Sequence, residues 1–183
     1  MKQLVVIDCQ NDFITGSLAC FHAQEAVDYI VKTIQAYPEV KVFYTLDWHS
    51  PNHMSFARNG GIWPDHCVQE TEGAQLSEVF NQLPEHQRPN EYNRFYKGTD
   101  DDVEEYSGVN AVNQAGTVLK DLLDPQAHIA GIASEYCVRE TVFELLPEVR
   151  LLVLEPGLGF VDQKTHDQVL QEYRDHELLV TAP

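Results

Sequence analysis

The chain has 183 residues, 43% of them hydrophobic, enough for one domain with a sizeable core, and no linker or composition shift argues for two. Aspartate and glutamate outnumber lysine and arginine by 29 to 12, and the resulting formal charge of −17 speaks against nucleic acid and anionic membranes as partners. Cysteines stand at 9, 20, 67 and 137 with no C-x-x-C pair, which excludes a disulfide framework and a thiolate zinc site and fits free thiols in the cytoplasm.

The first apolar run, Leu4 to Ile7, predicts a buried strand too short to be the apolar part of a signal peptide, and it leads straight into Asp8. Ala26, Ile30 and Ile34 follow at helical spacing. Val40 to Leu46, rich in β-branched and aromatic residues, predicts a second strand that carries Asp47 and His49 off its end. Ser50-Pro51 has the form of an N-cap followed by proline at the first helical position, a turn that swings His53 back toward the strand end. His66 comes next, from a loop rich in Gly, Trp and Pro. A weaker strand is expected over Glu91 to Tyr96, ending at Lys97, and the acidic run from Asp100 to Glu105 reads as a solvated loop.

Val112, Val118, Leu119 and Leu122 predict a helix, Ala127 to Ile132 a third buried strand, and Val138, Val142 and Leu145 a helix that opens at Cys137. A strand over Leu151 to Leu154, a helix over roughly Thr165 to Tyr173 and a strand over Leu178 to Val180 complete the order. No apolar stretch approaches the roughly 18 residues of a membrane span. Strands apolar on both faces, alternating with helices, predict an α/β fold. The expectation is a single three-layer αβα domain over residues 1–183 with a mostly parallel central sheet.

In such sheets ligands collect outside the carboxyl ends of the strands, and the polar residues of this chain fall there: Asp8, Asp47, His49, Lys97 and Cys137. Three of the eight histidines, His49, His53 and His66, fall within twenty residues that open on Asp47. Imidazole nitrogens with a carboxylate oxygen suit a divalent ion such as zinc, iron or manganese, and Asp47 and His49, two apart on an extended chain, point to the same side. The alternative is a histidine-rich surface loop that binds nothing. Cys137 at a helix N-terminus is placed as a nucleophile whose thiolate the helix dipole and a nearby Lys97 favour, with Asp8 as base and backbone N–H groups around Cys137 for an oxyanion. Taken singly, each of these residues has an inert reading, as a buried thiol, a strand-end cap or a solvated lysine.

The order of motifs changes that. Asp8-Cys9-Gln10-Asn11-Asp12-Phe13 with Gly16-Ser17-Leu18-Ala19, then Asp47-Trp48-His49, Trp63-Pro64-Asp65-His66-Cys67-Val68, Tyr96-Lys97-Gly98 and Gly131-Ile132-Ala133-Ser134-Glu135-Tyr136-Cys137-Val138 run nearly the length of the chain. In this order they resemble the isochorismatase-like cysteine hydrolases, nicotinamidases and pyrazinamidases in particular, whose fold is Rossmann-like. The resemblance implies a catalytic set of Asp8, Lys97 and Cys137, in which the cysteine attacks an amide, ammonia leaves and water hydrolyses the thioester. It implies an oxyanion hole from the N–H groups of Ala133 and Cys137, beside a cis peptide between Ile132 and Ala133. Phe13 and Trp63 match positions flanking an aromatic ring, and Tyr136 joins them as a substrate-contact candidate. Asp47, His49 and His66 match metal ligands, and His53 a further ligand of some members, for one divalent ion, zinc first and iron or manganese next. The implied substrate is a small molecule, nicotinamide, in NAD salvage, and a homo-oligomer is compatible with the family. The alternatives are the same thiol chemistry on another small amide or an isochorismate-like ether, and a silent relative that binds metal or a ligand. Against the silent relative stands the retention of Asp8, Lys97 and Cys137.

Overall fold

Strand β1 (Gln3–Ile7) is the centre of the molecule, and all five of its residues are buried. Side chains alternate along a strand, so Val5 and Ile7 enter one apolar cluster and Leu4 and Val6 the other. A strand hydrophobic on both faces needs cover on both, and that requirement builds the layers. The structure, a computed structural model, describes residues 1–182. Besides β1 it contains β2 (Lys41–Asp47), β3 (Arg94–Lys97), β4 (Gln126–Gly131), β5 (Arg150–Leu158) and β6 (Leu179–Val180). These form one sheet in the order β3-β2-β1-β4-β5-β6, with every neighbouring pair parallel.

Helix α1 (Asn11–Ile14) is a single turn, and α2 (Ala23–Ala36) packs Ala23, Val27, Ile30 and Ile34 against the Leu4 and Val6 face. Helices α3 (Cys137–Leu145) and α4 (Gln163–Asp175) cover the opposite face with Val138, Val142 and Leu145, and with Val169, Leu170 and Tyr173. The three-layer α/β architecture is therefore the one expected. α4 begins in the manner of a capped helix: the Asp162 carboxylate accepts from the Thr165 N–H at 2.8 Å. No helix among the described residues is long and apolar enough to cross a membrane.

The helix expected over Val112 to Leu122 does not form. Val112 instead bridges antiparallel to Tyr96 and to Val118, and only Leu119–Leu122 winds into a short 3-10 turn. The reason lies between the apolar residues. The Asn113 side-chain oxygen accepts from the N–H groups of Ala115 and Thr117, and Gly116 sits at φ 78, so a local turn outcompetes the helix. β3 likewise starts three residues later than expected, because the Asn90 side chain caps the N–H groups of Tyr92 and Asn93 and holds 90–93 in a turn. β5 runs four residues beyond Leu154, with a register shift against β4 between Ile129 and Gly131.

Two of the parallel crossovers contain no α-helix. The β2-to-β3 connection holds 3-10 turns at Ala57–Asn59 and Glu78–Gln82, and the β3-to-β4 connection the turn just described. These long, irregular segments arch over the carboxyl edge of the sheet, where the strand order reverses between β1 and β4.

Candidate active site

Asp8 follows β1, Lys97 ends β3, and Cys137 opens α3 beyond β4, so three strand ends bring them together. All are buried: Asp8 is 0%, Lys97 1% and Cys137 6% exposed. The Lys97 ammonium lies 2.9 Å from Asp8 Oδ2 and 3.5 Å from Cys137 Sγ, and it donates a short hydrogen bond to Asp47 Oδ1. Asp8 Oδ1 accepts from the Thr45 hydroxyl at 2.6 Å, whereas Oδ2 is ion-paired with Lys97 but has no aligned hydrogen-bond donor. A carboxylate oxygen of Asp8 lies within 4.8 Å of Cys137 Sγ.

The charges are strongly coupled. Burial raises the Asp8 carboxyl against the opposing pull of Lys97. Burial by itself would discharge Lys97, yet Asp47, Asp8 and Cys137 together hold it firmly as the ammonium. For Cys137, burial comes first, Lys97 opposes it, and Asp8 and Asp47 add to it, so the thiol is pushed well above its ordinary value. The sequence leads one to expect that the helix terminus and Lys97 favour thiolate, with Asp8 as base for the thiol proton. Burial, joined by the two carboxylates that share the pocket, favours the thiol over the thiolate, and the Lys97 ammonium opposes them.

The turn before the nucleophile contains the cis peptide Ile132-Ala133. Its Ser134 N–H donates to the Gly159 carbonyl at 2.8 Å, and the Tyr136 and Val138 N–H groups both donate to the Ala133 carbonyl at 3.1 Å. Among the described residues, the N–H groups of Ala133 and Cys137 find no protein acceptor. Two adjacent unused donors at the start of a helix are suited to a developing negative oxygen.

Beside this cluster lies the histidine group. Asp47, His49 and His66 are buried, and one ligand atom from each falls within 4.8 Å of the others. His49 donates Nδ1–H to the Gly98 carbonyl at 2.7 Å and His66 donates Nδ1–H to the Pro64 carbonyl at 2.8 Å. These bonds make Nδ1 the donor nitrogen of both rings and leave both Nε2 atoms facing Asp47 Oδ2, at 3.5 and 3.9 Å. The His53 ring lies 4.0 Å from that of His49, tilted by 38°, and its Nε2 is buried without a hydrogen-bond partner. It stands outside the group of three that converges on Asp47. The donor set of one carboxylate and two imidazoles, with backbone carbonyls behind the rings, fits a divalent ion. A second convergent set, Asp8, Asp47 and Cys137, is already filled by the Lys97 ammonium.

Side-chain bonds hold this half of the site. Gln10 clasps Asp47 at both backbone groups, donating to its carbonyl at 2.8 Å and accepting from its N–H at 2.9 Å. Asp12 accepts from the Cys67 N–H at 2.7 Å, Cys67 sits at φ 46, and His49 bridges Val68, which together deliver His66 to the end of β2. The expected turn at Ser50 is present as a turn rather than a helix start. Ser50 Oγ accepts from the Asn52 N–H and donates to Asp101 at 2.5 Å.

A cleft opens onto both halves, lined by Phe13, Trp63, His66, Ala133, Tyr136 and Cys137 among others. Phe13, Trp63 and Tyr136 thus all line the cleft. Tyr106 also lines it, a residue that the sequence reading missed; its hydroxyl accepts from the Trp63 indole at 3.0 Å. Gln10 and Thr45, also missed as contributors, carry only the signal of being polar next to buried strands. The acidic run is a loop, as expected, but Asp101 and Glu105 bond to the site loops rather than only to water.

Residues 2–182 match the Isochorismatase domain, and the chain belongs to that family. It is similar to the nicotinamidase of Escherichia coli, 33% identical over 169 residues that cover 79% of this chain and 76% of the relative. In structure it is similar to the pyrazinamidase of Pyrococcus horikoshii in complex with zinc, with a TM-score of 0.81, 30% identity and 98% of each chain covered. It also resembles the yeast nicotinamidase bound to the inhibitor nicotinaldehyde, with a TM-score of 0.82, 27% identity and 100% of each chain covered. These relatives and the domain make the chain a hydrolase acting on amides.

Proposed function

We propose that this member of the isochorismatase family hydrolyses nicotinamide to nicotinate and ammonia through a thioester on Cys137, serving NAD salvage in the cytoplasm. The observation that carries the reading is one cleft bordered by the Cys137 thiol, by Asp47 and His66 of the metal-suited group, and by the rings of Phe13, Trp63 and Tyr136. A nucleophile on one side and a ring-holding site on the other fit a flat aromatic amide. The nicotinaldehyde of the yeast relative and the zinc of the Pyrococcus relative support this reading.

In the proposed mechanism Asp8 Oδ2, which lacks an aligned donor, takes the proton from Cys137 Sγ, and Lys97 at 3.5 Å stabilises the thiolate as it forms. Sulfur attacks the amide carbon, the C–S bond forms, and the carbonyl electron pair moves onto oxygen, which the Ala133 and Cys137 N–H groups receive. The intermediate collapses, the C–N bond breaks, and protonated Asp8 returns its proton to the departing nitrogen. Asp8 then removes a proton from water, which attacks the thioester. The C–S bond breaks and sulfur recovers the proton. Asp47, His49 and His66, with His53 beside them, would hold one divalent ion, zinc first, which when bound offers a Lewis-acid position for the pyridine nitrogen. Phe13, Trp63 and Tyr136 flank the ring.

The test is ammonia release from nicotinamide by the purified protein, as isolated and after chelation followed by zinc, iron or manganese. Turnover should fall on chelation and return with metal, and Cys137→Ala should abolish it, by about three orders of magnitude or more, with the fold retained. Full activity in Cys137→Ala rules out the nucleophile. Turnover indifferent to complete metal removal rules out the ring-anchoring role of the ion.

A further inference from the structure

One carboxylate in the acidic run does something that the mechanism above does not use. Glu105 Oε2 accepts from the Gly98 N–H at 2.7 Å, and the Gly98 carbonyl accepts from His49 Nδ1 at 2.7 Å. Gly98 sits at φ 62, and a Cβ there would collide with the His49 ring, so glycine is required and its backbone is wedged between the two side chains. A left-handed residue at the end of a strand has few restraints of its own. The Glu105 bond supplies one from outside and aims the carbonyl at His49.

We infer that Glu105 is a positioning residue for the metal ligand His49: by pinning Gly98 it keeps Nδ1 as the donor and Nε2 as the lone-pair nitrogen. This rests on the metal reading of Asp47, His49 and His66. The arrangement is a carboxylate-to-histidine support with one residue interposed, a longer form of the direct carboxylate–histidine contacts that orient metal-binding imidazoles. The contact of Glu105 with the sulfur half is separate, because Lys97 Nζ reaches its main-chain carbonyl at 3.4 Å. Removing the side chain therefore acts on His49 and leaves the nucleophile alone.

Zinc affinity of the full-length protein, stripped by chelation and titrated with zinc against a chromophoric chelator, tests this. Glu105→Ala is expected to bind zinc about tenfold more weakly or worse. Glu105→Gln, whose amide oxygen still accepts from Gly98, should stay close to the wild type. In the metal-free protein, at a pH where the ring is neutral, nitrogen NMR should show the Nδ1–H tautomer of His49 in the wild type and Glu105→Gln, and a mixture in Glu105→Ala. The rate at which iodoacetamide modifies Cys137 should be unchanged. Zinc affinity and tautomer both unmoved by Glu105→Ala overturn the inference, and so does a parallel change in Cys137 alkylation, which would mark a general loosening of the loop. A wild type that binds no zinc overturns the metal reading instead, and the tautomer measurement, which needs no ion, still decides the role of Glu105. Glu105 is half-exposed on a loop, so its truncation leaves the core intact.

Discussion

The two halves of the cleft are built in different ways. Asp8, Lys97 and Cys137 stand at the ends of β1 and β3 and the start of α3, so the sheet and its covering helix place them. His49, His53 and His66 lie on the helix-free connection between β2 and β3, held by Gln10, Asp12 and the carbonyls of Gly98 and Pro64. Regular structure positions the Cys137 sulfur, and individual side-chain bonds position the imidazoles. The first half should therefore fail together with the fold, and the second half should loosen locally while the fold persists.

The largest effect expected is at Lys97. Lys97→Met removes the ammonium that serves two buried carboxylates, leaves them without a counterion, and should cost about 3–5 kcal/mol of global stability along with the activity. Urea unfolding measures it; a cost under about 1 kcal/mol would mean that the sulfur half is not tied to the fold as argued.

Asp12→Ala sharpens the contrast from the other side. It frees the Cys67 and Ser17 N–H groups, and the expected loss is about 1–2 kcal/mol, felt locally. Hydrogen exchange should quicken through residues 63–70 and zinc affinity should fall, while β1 and β4 amides keep their protection. Equal loss of protection in the sheet would erase the distinction between the halves.

The smallest effect concerns the turn before Cys137. His166 Nδ1 lies 2.7 Å from Ser134 Oγ and its ring stacks 4.2 Å from Phe160; burial lowers its pKa, with Glu135, Asp167 and Glu155 pulling the other way. A histidine whose folded pKa lies below its unfolded value of about 6.5 gives stability that is full above that pH and lost as pH falls through it toward the folded value. Thermal unfolding across pH 5 to 7.5 should show that slope, and His166→Gln should flatten it. An unchanged slope assigns the pH dependence to other groups.

What could be read from the sequence follows the same division. Asp8 and Cys137 could be placed because apolar runs mark strand ends and a helix start, and Asp47 and His49 because period-two alternation puts them on one side of an extended chain. The approach of His66 could not be derived from spacing, since it depends on Cys67 at φ 46 and on a bond from Asp12, 55 residues away in sequence. Tyr106 and Gln10 went unrecognised for the same reason: their partners, Trp63 and Asp47, are long-range. Valine and leucine spacing suggested a helix over 112–122 because periodicity counts apolar residues and overlooks what an asparagine side chain does to the backbone between them.

One carboxylate belongs to both halves: Asp47 gives Oδ1 to Lys97 and turns Oδ2 toward His49 and His66. In genetic terms Asp47 is pleiotropic. A single substitution there discards the carboxylate of the proposed metal site and a counterion of Lys97 together, so its phenotype alone identifies neither loss. Separating the two functions requires a pair of alleles on either side of it, one at His66 and one at Asp8, and the Asp47 mutant is informative only when set against both.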